Sequence, residues 1–123
     1  MAEDKLEKIL EKWKNFVEER DWKKFHSPKN IAMGISIEAS ELLEIFQWLS
    51  TEESLEVMNS KEKSAKIKEE MADVFLNLLY LSDILGVDLL EEAQKKMEIN
   101  QKKYPANACR GQAIKHTEIV RDE

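Results

Sequence analysis

IEASELLEIFQW, residues 37–48, has the spacing of a buried helix and yet carries Glu38, Glu41 and Glu44. At about 100° per residue, Ile31, Ile35, Leu42, Ile45, Phe46 and Leu49 gather into one apolar arc. Glu38 falls in the middle of that arc, Glu41 lies roughly 60° to one side near its edge, and Glu44 points further towards solvent. An ionised carboxylate is almost never buried unless a partner or a metal meets it. Glu38 therefore needs a partner from elsewhere in the chain.

EEMADVFLNLLYLSDIL, residues 69–85, repeats the pattern. Ile67, Val74, Leu78, Leu81 and Leu85 define a second apolar arc, with Glu70 at its margin and Asp73 one turn on. If the two arcs pack face to face, Glu38, Glu41, Glu70 and Asp73 converge. Four like charges at that separation repel strongly in a partly desolvated site, so some are protonated or a divalent cation lies among them. Oxygen-only ligands suit a hard cation such as Mg²⁺, which also engages substrate phosphates. Two other readings stay open. Both pairs can reach the bundle surface and meet lysines, which would leave a non-catalytic helical interaction module. A di-iron bundle is a weaker fit, because that architecture uses Glu-x-x-His motifs, and here His26 lies in a loop and His116 in the tail.

The rest of the chain suits long helices. Of 123 residues, 42% are apolar and 36% charged, with only 3 Gly and 2 Pro to punctuate turns. The expected fold is all-α, a bundle of four main helices in one domain over 1–105, with a tail at 106–123 ordered only against a partner subunit or ligand. A first helix is predicted over 4–20, and Ser27 followed by Pro28 caps a second that runs to Leu49. A short helix is expected around 52–58. The third, 61–85, has Ser60 as cap and Gly86 just past its end, and the fourth opens on Asp88 and Glu91 at capping-box spacing and stops before Pro105.

A formal charge of -6 argues against nucleic acid or an anionic membrane surface as partner. The lone Cys109 excludes an internal disulfide and fits a reducing compartment. MAEDKLEKILEKW lacks the basic-then-apolar order of a secretory leader, and no apolar run is long enough to span a bilayer, so a cytoplasmic location is expected.

Two further sets complement the carboxylates. Lys96, Asn100, Lys103 and Tyr104 fall on one face of the fourth helix, where they could hold phosphate oxygens or merely complement the helix dipole. Among the 3 tryptophans, Trp13 follows the core spacing of the first helix. Trp22 in the loop and Trp48 beside Glu41 are better placed to stack on a flat ring, a contact that can contribute about 1–3 kcal/mol.

Nearly the whole chain resembles the MazG-like, all-α nucleoside triphosphate pyrophosphohydrolases, closest to their dCTP pyrophosphatase branch. The likeness is carried by ERDWKKFHSPKN, by E-x-x-E-x-x-E-x-F-Q-W over 38–48, by EE-x-x-D-V over 69–74, by KMEINQKKYP over 96–105, and by Arg110, Gly111 and Lys115 in the tail. The resemblance implies hydrolysis of a (deoxy)nucleoside triphosphate between its α and β phosphates with Mg²⁺, in a dimer or tetramer whose site is shared between subunits. It assigns Glu38, Glu41, Glu70 and Asp73 to the metal, Lys96, Asn100 and Tyr104 to triphosphate or sugar, and Trp22 and Trp48 to the base. In the chemistry it implies, Glu41 is a candidate base, Lys96 and Lys103 stabilise charge on departing pyrophosphate, and Asn77 can contact sugar or base. Trp13 stands where a histidine is usual in the branch and Asn77 where a tyrosine is usual, which leaves the base preference open.

Overall fold

The structure, a computed structural model, describes residues 2–119. All regular structure among them is helical: α1 (Ala2–Glu19), α2 (Pro28–Phe46), α3 (Thr51–Leu55), α4 (Lys61–Leu85), α5 (Leu89–Lys103) and α6 (Ala106–Cys109), with short 3₁₀ turns at Lys23–Phe25, Val57–Asn59 and His116–Glu118. None of these helices is long and apolar enough to cross a membrane.

Local chemistry explains most of the boundaries. Ser27 accepts a hydrogen bond from the Asn30 N–H at 3.1 Å and Pro28 takes the first position of α2. Ser60 caps α4 in the same way, and Gly86 ends it in the left-handed region at φ 67°. Asp88 accepts from the Glu91 N–H at 3.1 Å at the start of α5, while the Glu91 carboxylate turns to Lys95 at 3.2 Å. The complete capping box lies instead at α3, where Ser50 and Glu53 bond each other's backbone.

The turn after α1 fixes Trp22. Asp21 takes a left-handed conformation, φ 54°, so that its N–H reaches the Glu18 carbonyl and the Trp22 N–H reaches back to the Val17 carbonyl, each at 3.0 Å. This is a Schellman closure with aspartate in the place glycine usually fills, and the accompanying apolar contact is the edge of Trp22 against Phe16, with centroids 5.6 Å apart.

Two compact units are present, one ending at Gly86 and one beginning at Val87. In the first, α4 packs against both α1 and α2, and Val17, Ile31, Ile67, Leu79 and Tyr80 form its buried core. The arc expected on α4 is displaced: Leu78 and Leu85 are exposed, whereas Leu79, Tyr80 and Ser82 are buried. A helix that packs against two neighbours presents no single buried face, and one wheel cannot describe it. α2 also stops at Phe46, three residues short of Leu49, where Gln47 to Leu49 turn.

The second unit contains α5 and α6. The expected boundary at 105 falls within it, and most of the expected tail is structured: α6, the 3₁₀ turn at His116–Glu118, a ring contact between Tyr104 and His116 at 6.1 Å, and buried Ile119. Residues 120–123 of that tail lie outside the described residues.

Candidate metal centre

Glu38 and Glu41 stand one turn apart on α2 because their spacing is three residues, and Glu70 projects from α4 onto the same spot. One carboxylate oxygen from each of the three lies within 4.8 Å of the others. Glu70 retains only 9% of its surface exposure, making it more buried than its marginal wheel position implied. Glu38 Oε2 and Glu70 Oε2 are both shielded from solvent without a hydrogen-bond partner. Asp73, one turn beyond Glu70, stands outside that tight trio, but its charge is felt by both Glu38 and Glu70.

This crowding shifts the protons. Burial, then interaction with Glu70 and Glu41, and then the charges of Glu41 and Asp73 push the Glu38 carboxyl up to about 7. Burial and the Glu41 and Asp73 charges also raise Glu70. Two buried carboxylates approach this closely only with a proton or a cation between them. The orphaned oxygens and the all-oxygen donor set fit a hard divalent cation, and among the described residues no lysine or arginine forms an ion pair with the trio.

On one side of the trio, towards the end of α2 and the start of α4, a groove of about 440 Å³ is lined by Glu44, Ile45, Trp48 and Leu49 and by Lys63 and Lys66. Late residues of α2 thus face early residues of α4, so the two helices run antiparallel. On the other side, Asn77 donates from Nδ2 to the Asp73 carbonyl at 2.9 Å and sets its Oδ1 against Gly34. Beyond it is an aromatic cluster. Trp13 stacks on Phe16 at 5.4 Å and meets the edge of Tyr80 at 6.2 Å, and His26 meets Tyr80 at 5.3 Å. Trp13 Nε1 and His26 Nδ1 are buried there without partners.

The two expected ring-stacking residues are not together. Trp22 belongs to the aromatic cluster near Tyr80, whereas Trp48, 87% exposed, stands at the groove beside Lys66. Fourteen residues of α4 separate those levels, about 20 Å at 1.5 Å per residue. One chain alone cannot sandwich a base between them. Nothing in a sequence distance or a helix wheel reveals that separation, because it depends on the antiparallel pairing. In the second unit, Lys96 and Asn100 are exposed on α5, Lys103 is partly buried, and Tyr104 packs on His116. Sequence reading passed over Lys63 and Lys66, though their place in the first two turns of the carboxylate-bearing helix was a usable signal.

The MazG-like family model matches residues 33–119. The chain is 38% identical over 120 residues to dCTP pyrophosphatase 1 of Mus musculus, which covers 97% of this chain and 70% of that protein. It is 37% identical over 117 residues to dCTP pyrophosphatase 1 of Homo sapiens, covering 95% and 69%. The crystal structure of a pyrophosphatase from Archaeoglobus fulgidus matches with a TM-score of 0.74 and 42% identity, over 85% of this chain and 94% of that one.

Proposed function

Because the chain belongs to the MazG-like family, we propose that it is a Mg²⁺-dependent nucleoside triphosphate pyrophosphohydrolase. It cleaves a (deoxy)nucleoside triphosphate, dCTP or a related dNTP, to the monophosphate and pyrophosphate, and serves to clean the nucleotide pool in the cytoplasm. The observation that carries this reading is the meeting of Glu38, Glu41 and Glu70, with two buried oxygens that lack partners.

Glu38, Glu41, Glu70 and Asp73 would hold the cation. When bound, Mg²⁺ supplies charge neutralisation on the triphosphate and a lowered pKa for an attacking water. Glu41, less buried than Glu70, is the carboxylate to accept that water's proton. On α5, Lys96 and Lys103 would counter charge on the departing pyrophosphate, and Asn100 and Tyr104 would contact phosphate or sugar. Trp22 and Asn77 serve the nucleoside end. Trp48, at the opposite end of α2, meets a base only if it reaches the site of another subunit.

A homo-oligomer, dimer or tetramer, accompanies this reading. Met33, Ile37 and Leu43 on α2, Leu55 on α3 and Met71 on α4 are all more than half exposed, a larger apolar surface than a small monomer ordinarily leaves in water. The catalytic domain is assigned to 1–105, with the segment after it completing its order against a partner subunit or ligand. Incubation with dCTP, dUTP, dTTP and dATP in the presence of Mg²⁺ tests the activity. Release of pyrophosphate, lost in Glu38→Gln with folding retained, is the expected result. Orthophosphate as the only product, or no product with any nucleotide, would leave the chain as a helical interaction module.

A further inference from the structure

The carboxylate trio lies between two unlike surfaces on the same helix pair, and the polarity of that arrangement carries information. Towards the end of α4 there are aromatic rings and a buried indole N–H without an acceptor, features suited to a flat heterocycle. Towards its start there are two ammonium groups, Lys63 and Lys66, in an open groove. Lys66 precedes Glu70 by one turn, about 6 Å of helix rise, and shares a stripe with Glu70 and Asp73.

Lys66 is surrounded in sequence by possible partners, with Glu62 four residues before it and Glu69 and Glu70 three and four after. Such spacings ordinarily give helix ion pairs. Among the described residues Lys66 makes none. A cation that forgoes three neighbouring carboxylates and lines a groove leading from the trio is placed for an anion that arrives from outside. Lysine binds phosphate as a point charge.

We infer that the groove at Lys63 and Lys66 is the subsite for the terminal phosphates of the nucleotide, and that Lys66 sets the preference for triphosphates over shorter phosphate chains. The inference rests on the proposed hydrolase activity and adds the direction in which the substrate lies. A nucleoside triphosphate carries its base and its terminal phosphate on opposite sides of the bond to be cut. With that bond over the carboxylates and the nucleoside on the side of the exposed Trp22, the terminal phosphates lie towards the lysines. Glu44 and Glu62 also line the groove and match its two positive charges. It therefore accepts a phosphate chain accompanied by its own cation, rather than a bare polyanion.

The test uses the full-length chain with Lys66→Met, Lys63→Met and Lys66→Arg. Binding of inorganic tripolyphosphate with Mg²⁺ is measured beside binding of a nucleoside monophosphate, together with KM for the best dNTP. Lys66→Met is expected to weaken tripolyphosphate binding and raise KM about tenfold, the loss of one charge-assisted hydrogen bond. Monophosphate affinity and melting temperature should stay near wild type, and Lys66→Arg should recover most of the loss. Equal weakening of monophosphate and tripolyphosphate would put the groove at the nucleoside end and overturn the assignment, as would unchanged tripolyphosphate binding in both methionine variants. If the wild type cleaves no nucleotide, the hydrolase reading fails by itself, and the tripolyphosphate titration still decides the groove.

Discussion

Replacing Glu38 by glutamine keeps its shape and removes the charge that the fold tolerates least. In the metal-free protein the native Glu38 carboxyl holds its proton up to about 7, against an ordinary value of 4.5. A group bound more tightly to its proton in the native state favours folding below the unfolded value, and that contribution disappears as pH rises through the native one. At pH 8 the wild-type site is therefore strained by its own ionisation. A displacement of this size would correspond to about 3 kcal/mol in a dry site. The edge of the cluster is open to water, and screening reduces the expected effect to about 1–2 kcal/mol. For a chain of this length that is a gain of roughly 4–8 °C in melting temperature for Glu38→Gln at pH 8 in EDTA. The gain should fall to a small fraction of that by pH 5 and vanish below the unfolded value of 4.5, where the carboxyl is protonated in both states. Thermal melts followed by circular dichroism across that range make the comparison. A variant no more stable than wild type at pH 8, or equally stabilised at pH 5 and pH 8, would refute the crowding on which the site rests.

Mg²⁺ should raise the melting temperature of the wild type more at pH 8 than at pH 5.5, because the proton that Glu38 retains up to about 7, and the one that Glu70 holds above the ordinary carboxylate range, compete with the cation; differential scanning fluorimetry with equal Mg²⁺ at both values checks the sign, and a larger shift at the lower pH would contradict it. Gly86→Ala should cost about 1 kcal/mol in urea unfolding, since φ 67° is unfavourable for any residue with a Cβ. Nothing lies within 4 Å of where that Cβ would stand, so the loss is conformational rather than steric. Light scattering should report a dimer or larger, reduced to monomer by arginine at Leu43 and Leu55 together; a monomeric wild type would remove the apolar faces from any interface.

The helix boundaries were largely legible because caps are local. Ser27 with Pro28, Ser60 and Gly86 do in space what their types and positions imply. The meeting of Glu38 and Glu41 with Glu70 was legible too, since both carboxylate pairs lie beside apolar positions of helices that must pack, although the arc read on α4 is itself displaced. What escaped was everything set by packing along the length of α4. Leu79 and Tyr80 are buried because α1 packs on α4 as well as α2 does, with Trp13 of α1 meeting Tyr80, and Leu78 loses the position a single wheel gave it. The antiparallel pairing of α2 and α4 separates Trp22 from Trp48 and brings Lys66 to the groove beside Trp48. The Ser50 and Glu53 box was written in the sequence as S-x-x-E, but α3 is only 5 residues long and offers no periodicity to draw attention to it.

Soaking crystals with Mn²⁺, which takes the same oxygen ligands and scatters anomalously, locates the cation itself. The account predicts one strong peak bounded by carboxylate oxygens of Glu38, Glu41 and Glu70, absent from crystals of Glu38→Gln. Well-ordered carboxylates with no peak between them, or a peak elsewhere on the chain, would contradict it.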